Sequence, residues 1–399
     1  MKILLIPSSD YVGHPFPQRY NYLFEQLQES GDDVHVLRYT FSRLPRITTK
    51  TQLHPIPLEL QTRSLGSYYL LNFMSHNIYS FYLVANGKFD CVVVSNLSPS
   101  LLGFIARSLH LYKEPIFFDV QDYFPAGAAQ FIAGERTTAF NLLHSVFSKI
   151  MKISIVNATG VTCASRLLVK YAMSVGVKNP MFLPNGIAEH FMKMNTQESN
   201  RIRTELGLDD AFVLGYVGSI EFWLDFHPVL EALAKLVKDG LNVALILVGG
   251  KLRTRYEDSL IAYIREIGLQ NHVIRLGFVP NQEVPKYIGM MDIGLMPFDP
   301  SNPVNYYLEE PLKMWEYISQ GVPVLSSPIS GIKIYSSDFC TIYRSPSDIY
   351  ELVKGCIQGP ILENLKEKTK LAREFAIVHR SWKKLARDFR TYLSSNLHN

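Results

Sequence analysis

Apolar and polar positions alternate in two rhythms along the chain, and the two rhythms take turns. Short β-branched or continuous apolar runs predict strands at Lys2–Ile6, Val34–Tyr39, Asp90–Ser95, Pro115–Asp119 and Gly160–Cys163. In the second half they predict strands at Phe212–Val217, Val243–Val248, Val273–Leu276, Asp292–Met296 and Pro323–Ser326. Between them apolar residues recur at helical spacing. One helix is predicted from Arg19, with Tyr20, Leu23, Phe24 and Leu27 on one face and a stop at Gly31. Another carries Val229, Leu230, Leu233, Ala234 and Val237 and stops at Gly240. Strand–helix alternation of this kind predicts α/β architecture, with parallel sheets covered by helices on both faces.

The series begins twice, at Lys2 and again at Phe212. Between the two starts lie the turn Pro184-Asn185-Gly186 and the polar stretch Lys193–Arg203. The expected organisation is therefore a first domain over 1–190, a second over 191–377, and a closing segment over 378–399. Trp382, Leu385, Ala386, Phe389, Tyr392 and Leu393 form a helical stripe in that segment, which must be buried against something. Two doubly wound domains are expected to face a central cleft lined by strand C-termini, where ligands of open α/β sheets bind. At 399 residues, two cores are the natural expectation.

Composition narrows the function. With 47% hydrophobic and 19% charged residues the chain is a folded globular protein, and a net charge of +4 is too small for a nucleic-acid binder. That excess lies wholly in residues 1–190, which carry 16 Lys+Arg against 12 Asp+Glu, whereas residues 191–399 carry 24 against 24. Cys91, Cys163, Cys340 and Cys356 form no CxxC pair, which suits a reducing compartment and gives neither a disulfide framework nor a zinc site. The opening MKILLIPSSD has an apolar run too short for a signal peptide. Asn72, Ser75, His76, Asn77 and Ser80 interrupt the apolar stretch from Leu65 to Ala85, which reads as a buried helix or one lying on a membrane. A cytoplasmic protein is expected, with peripheral membrane association suggested by the basic first half and by the segments Leu65–Ala85 and Ala128–Ile153.

The second half carries an ordered set of short motifs. These are Tyr216-Val217-Gly218-Ser219, Leu247-Val248-Gly249-Gly250, Val273-Ile274-Arg275-Leu276-Gly277-Phe278-Val279-Pro280, Met291-Asp292-Ile293-Gly294-Leu295-Met296-Pro297-Phe298, and Pro311-Leu312-Lys313-Met314-Trp315-Glu316-Tyr317 through Gly321-Val322-Pro323-Val324. Ser381-Trp382 follows near the end. In this order and spacing they resemble the retaining glycosyltransferases of the GT-B type, the group with an E-x7-E donor site. The resemblance is strong from about residue 180 onward. It implies two Rossmann-like domains, a C-terminal helix crossing back onto the first, and a nucleotide-sugar donor, UDP- or GDP-linked, bound by the second. It implies no metal and no other cofactor, and an acceptor that is a lipid-linked or other glycan.

The resemblance also assigns roles. Glu316 would accept hydrogen bonds from the donor ribose hydroxyls, since one carboxylate can accept two. The first glutamate of E-x7-E is replaced by Leu308; Glu309 and Glu310 follow it, either as a register slip or as a solvated acidic loop. Gly218, Ser219 and Gly249 end strands where backbone must approach a diphosphate or turn sharply. The Arg and Lys that relatives place after Gly218 are absent here, where Glu221 and Asp225 stand instead, Asp225 as a possible helix cap. Lys313, with Arg253 and Arg255 behind it, is the remaining candidate for the diphosphate. Gly277, Phe278 and Val279 match a segment whose backbone reads the nucleobase. On the acceptor side stand Gly13, in the loop after the first strand, and Arg19, a cation where the helix dipole disfavours one. Asp122 matches the aspartate of a His-Asp turn in which glutamine, Gln121, replaces the histidine; as a candidate catalytic residue, with Lys313 and Glu316, it would contact sugar or acceptor. The implied reaction is glycosyl transfer with retention. A GT-B sugar-nucleotide epimerase and a catalytically silent GT-B scaffold are the alternatives.

Overall fold

The structure, a computed structural model, describes residues 1–42, 45–62, 65–96, 115–133, 137–252 and 254–397. The chain divides into two compact units, Met1–Pro184 with Trp382–Asn399, and Asn185–Ser381. The division falls inside the Pro184-Asn185-Gly186 turn rather than at 190. The Asn185 side chain donates to the Glu310 carbonyl at 2.8 Å, and Ile187 bridges to Ser381, so the chain is committed to the second unit from 185 onward.

The first unit holds a seven-stranded parallel sheet. Its strands are β1 (Lys2–Ile6), β2 (Asp33–Arg38), β3 (Gln52–Pro55), β4 (Cys91–Ser95), β5 (Ile116–Val120), β6 (Gly160–Cys163) and β7 (Met181–Phe182), in the order β3-β2-β1-β4-β5-β6-β7. The second holds a six-stranded parallel sheet of β8 (Phe212–Ser219), β9 (Val243–Gly250), β10 (Val273–Gly277), β11 (Ile293–Met296), β12 (Val324–Ser326) and β13 (Thr341–Ile342), in the order β10-β9-β8-β11-β12-β13. Central strands are apolar on both faces because helices cover both; every residue of β4, β5, β9 and β11 is buried. The edge strands β3, β7 and β13 are short and partly exposed, and no apolar run announces them.

Each sheet reverses its strand order once, between β1 and β4 in the first unit and between β8 and β11 in the second. Neighbouring connections leave to opposite faces there, which opens a gap at the strand C-termini.

The predicted closing stripe is buried within the first unit. The helix Trp382–Asn396 buries Trp382, Leu385, Ala386, Phe389 and Leu393. It packs on the helix Arg19–Glu29, where Trp382 stacks on Tyr22 at 5.5 Å and Phe389 meets Phe24 edge-on at 6.0 Å. Arg390 adds an ion pair to the buried Asp32 at 2.8 Å. The last helix is thus an integral part of the first unit, although 197 residues of the second unit intervene (185 through 381).

Candidate active site

The site is built at the reversal between β8 and β11. These strands pair only around Ile293 and Gly294, so the Val217 amide and the Leu295 carbonyl have no partner in the ladder. Tyr317 supplies one to both: its hydroxyl accepts from Val217 N at 2.8 Å and donates to Leu295 O at 3.3 Å. Its ring packs so tightly on Gly294 that a Cβ there would lie 2.5 Å from it. This fixes the helix Leu312–Ser319 against the strand ends. Pro311 in extended conformation starts the helix, as a residue without an N–H can at no cost.

Lys313 and Glu316 share one face of that helix, three residues apart. The Lys313 ammonium donates to the Tyr216 hydroxyl at 2.7 Å and lies over the rings of Tyr216 at 4.1 Å and Phe298 at 5.1 Å. Tyr216 is itself committed, donating to the Ser219 carbonyl at 2.6 Å, so only its lone pairs face the lysine. No carboxylate pairs with Lys313 among the described residues. The Glu316 carboxylate likewise accepts no hydrogen bond among them. Burial pushes the Lys313 ammonium down to about 7, with Glu316 opposing the shift, and pushes the Glu316 carboxyl up to about 7, with Lys313 opposing. A partly buried cation and a partly buried carboxylate therefore stand side by side with capacity for an external ligand.

The glycines shape this end of the sheet. Gly218 and Gly249 lie opposite each other in the β8–β9 ladder, at φ +128° and +124°, and a Cβ on Gly249 would come within 2.0 Å of the Gly218 carbonyl. Gly249 is thus required by strand packing alone. A Cβ on Gly218 would instead point at Lys313 Nζ, 3.3 Å away. Gly277 sits at a register shift at the end of β10 with φ +70°. Phe278 beyond it is 44% exposed and reaches within van der Waals range of a Cβ on Gly250, while Val279 packs on the core.

Four acids expected near this end have other employment. Glu221 is fully buried and holds the loop after β9, accepting from Leu252 N at 2.7 Å, Thr254 N at 3.1 Å and the Thr254 hydroxyl. Asp225 is not the cap of the helix His227–Lys238, which is Phe226; from the position before it Asp225 accepts from His227 N at 3.0 Å. Glu310 is neither solvated nor a donor-site residue. It is buried and takes a bidentate pair from Arg380, at 2.6 and 3.0 Å, plus the Trp315 indole N–H at 3.1 Å. Glu309 is also buried, its backbone against Gly331, so neither acid forms an exposed loop. Arg255 is exposed at the start of the helix Tyr256–Glu266, and Arg253 lies outside the described residues.

In the first unit Arg19 is corrected. It is buried and pairs with Asp119 at the end of β5, at 3.1 and 3.2 Å, while donating to the carbonyls of Leu183 and Pro184 at 2.7 Å each. The anion that offsets its unfavourable place at a helix start is internal. Gln121, in the place of the histidine, donates to Ser95 Oγ at 2.8 Å and Asp119 at 3.1 Å. Asp122 follows it with an exposed side chain; desolvation by the surrounding protein raises its carboxyl to about 6, opposed by Arg19 and assisted by Asp119. Gly13 has a steric reason: a Cβ would lie 2.1 Å from the Asp10 carboxylate. No group of three or more His, Cys, Asp or Glu among the described residues is arranged to hold a metal.

Residues 198–358, which span the whole of this site in the second unit, match the family described as Glycosyl transferases group 1. Over those residues the chain is similar to that family. Among curated relatives, TuaH of Bacillus subtilis (strain 168), by name a teichuronic acid biosynthesis glycosyltransferase, is 26% identical over 265 residues, covering 65% of this chain and 63% of that protein. The 2-deoxystreptamine glucosyltransferase of Streptomyces kanamyceticus is 24% identical over 260 residues, covering 61% and 63%. The chain thus spans just under two thirds of the length of these curated relatives. Over its whole length the fold matches that of HepE (Alr3699) of Anabaena, solved with UDP-glucose, at a TM-score of 0.72 and 18% identity, covering 99% of this chain and 100% of that one. The fold is GT-B, with two parallel-sheet α/β units.

Sequence reasoning missed Tyr216, Tyr317 and Phe298 as positioning residues. All three stood inside the motifs, but the hydroxyl contacts of the two tyrosines span 97 and 100 residues and have no local signature.

Proposed function

We propose that the chain transfers a sugar from a nucleoside-diphosphate sugar, UDP- or GDP-linked, to a glycan or lipid-linked acceptor, with retention at the anomeric carbon. The observation that carries this reading is the Lys313–Glu316 pair at the sheet reversal, a cation without a carboxylate partner beside a carboxylate without a donor. A nucleoside diphosphate answers both, with its ribose hydroxyls donating to Glu316 and its phosphate oxygens accepting from Lys313. As the glycosidic bond lengthens, the sugar becomes oxocarbenium-like and negative charge gathers on the departing diphosphate. Lys313 is fixed by Tyr216 before the substrate arrives, so it stabilises that charge without reorganising. The amides at the start of Leu312–Ser319 add to it.

Retention rests on the family likeness. In this reading Asp122 contacts the acceptor or the transferred sugar, and the reaction needs no metal. The relative solved with UDP-glucose supports a nucleotide-sugar donor of that class. The test is to incubate the protein with UDP- and GDP-sugars and a panel of lipid-phosphate and glycan acceptors. Release of nucleoside diphosphate that depends on acceptor supports transfer. Epimerised donor without transfer would replace it with the epimerase reading, and binding without turnover with the scaffold reading.

A further inference from the structure

The first unit carries a helix whose exposed face is as apolar as its buried one. In Phe73–Gly87 the inward face mixes polar and apolar groups: His76 and Ser80 are fully buried and Asn77 nearly so, followed by Leu83 and Val84 in the last turns. Ser80 donates to the His76 carbonyl at 2.6 Å and Asn77 to the Phe73 carbonyl at 2.8 Å, and the His76 ring meets Glu59 through Nε2 at 2.8 Å while its buried Nδ1 has no partner among the described residues. The outward face is apolar, with Met74, Ile78 and Tyr82 at four-residue spacing and 65, 64 and 60% exposed. Leu70 of the preceding helix Leu65–Leu71 continues the stripe. Among the described residues nothing in the packing of the unit requires these side chains to be apolar, since they face solvent rather than core.

A second helix, Thr138–Val156, behaves alike. Only 17% of its most apolar window is buried, and it exposes Leu142, Val146, Ile153 and Val156. Met151, Ser154 and Ile155 bury its other side, and its chain enters from β5 and leaves to β6 of one sheet, so it lies along the unit instead of leaving it. Strand order places the two helices on the same face of the sheet. The β1-to-β2 connection steps toward one edge of the sheet, whereas β3-to-β4 and β5-to-β6 step toward the other. Right-handed crossovers then put Arg19–Glu29 on one face and both apolar helices on the opposite face.

Charge identifies the occupant. The helices Leu65–Leu71, Phe73–Gly87, Phe124–Ala133 and Thr138–Val156 contain no Asp or Glu, and their only charged residues are the exposed Lys149 and Lys152. In a two-fold contact through this face a second copy would bring the same helices, with the same two lysines and no acid. An anionic bilayer supplies both an apolar layer and opposite charge at its surface. We propose that this face of the first unit docks on an anionic membrane surface, its apolar stripes at the headgroup–acyl boundary and its lysines among the headgroups. The inference is independent of the transfer reading.

The test is co-flotation of the full chain with vesicles of phosphatidylcholine alone or mixed with phosphatidylglycerol. The protein should float with the mixed vesicles only, and less so as salt rises. Met74→Asp with Ile78→Asp, or Lys149→Glu with Lys152→Glu, should lower the bound fraction about tenfold while the thermal melt is unchanged. Leu371→Asp with Val378→Asp, equally exposed apolar sites in the second unit, should float like the parent. A Tyr82→Trp variant gives a readout that does not depend on loss, since its emission should shift to the blue on adding mixed vesicles. A parent that stays unbound, pairs of variants that float like the parent, equal binding to neutral vesicles, or a parent dimer that the Asp pair splits would each overturn the proposal.

Discussion

The Lys313 ammonium rests on the Tyr216 hydroxyl, 2.7 Å away, and Tyr216 in turn is locked to the Ser219 carbonyl at 2.6 Å. A cation is thereby held in place by a neutral acceptor and two aromatic faces instead of by an acid. An acid would neutralise it before any ligand arrived. The arrangement costs desolvation, which is why the ammonium is pushed down to about 7.

Replacing Lys313 with Met keeps the length and removes the charge. Charge on the diphosphate grows toward the transition state, so turnover should fall more than ground-state nucleotide affinity, by about 10²–10³-fold. Kinetics of parent and variant in excess chelator check it. A parent that loses activity in chelator, or a variant with unchanged turnover, would move the role to a metal or to Arg255.

Tyr216→Phe keeps the ring under the ammonium but removes its anchor. It also leaves the half-buried Ser219 carbonyl without its donor, at about 1 kcal/mol of stability. Turnover should drop by less than in Lys313→Met, and the double variant should be no worse than Lys313→Met alone. Additive losses would show that the two residues act separately.

Nucleotide binding should take up protons above neutral pH. At about pH 8 the Lys313 ammonium, pushed down to about 7, is mostly neutral, while Glu316, pushed up only to about 7, is already mostly ionised. An arriving diphosphate favours the charged ammonium and raises its pKa, so the complex holds more protons than the free protein. Calorimetry in buffers of different ionisation enthalpy measures this, and Lys313→Met should abolish it. No buffer dependence in the parent contradicts the assignment.

Arg19 should prove structural. Arg19→Ala leaves Asp119 buried without its partner and should destabilise the first unit by about 3–5 kcal/mol, read by urea unfolding. A variant as stable as the parent but weakened toward acceptor would restore the acceptor role.

The sequence carried the central strands plainly, because burial on both faces demands uninterrupted apolar runs such as Val243–Val248. It did not carry β3, β7 or β13, which sit at edges, have two to four residues and need no such run. Lys313 and Glu316 were legible through their shared helix face, a local property. Arg19 and Glu310 were misread for the opposite reason. Each is a charge whose meaning depends on a partner 100 or 70 residues away, and residue type reveals the charge without the partner. Glu221, read as an acid facing a diphosphate, is likewise defined by amides 31 and 33 residues on.

Isothermal titration of UDP and GDP into the parent and into Glu316→Ala tests the central assignment most directly. The parent should bind one of the two nucleotides, and the variant should stay folded yet lose about 1.5–3 kcal/mol of binding free energy, or roughly 10- to 150-fold in affinity, as expected for a carboxylate that accepts the ribose hydroxyls. A parent that binds neither nucleotide, or a folded Glu316→Ala that binds as tightly as the parent, would contradict it.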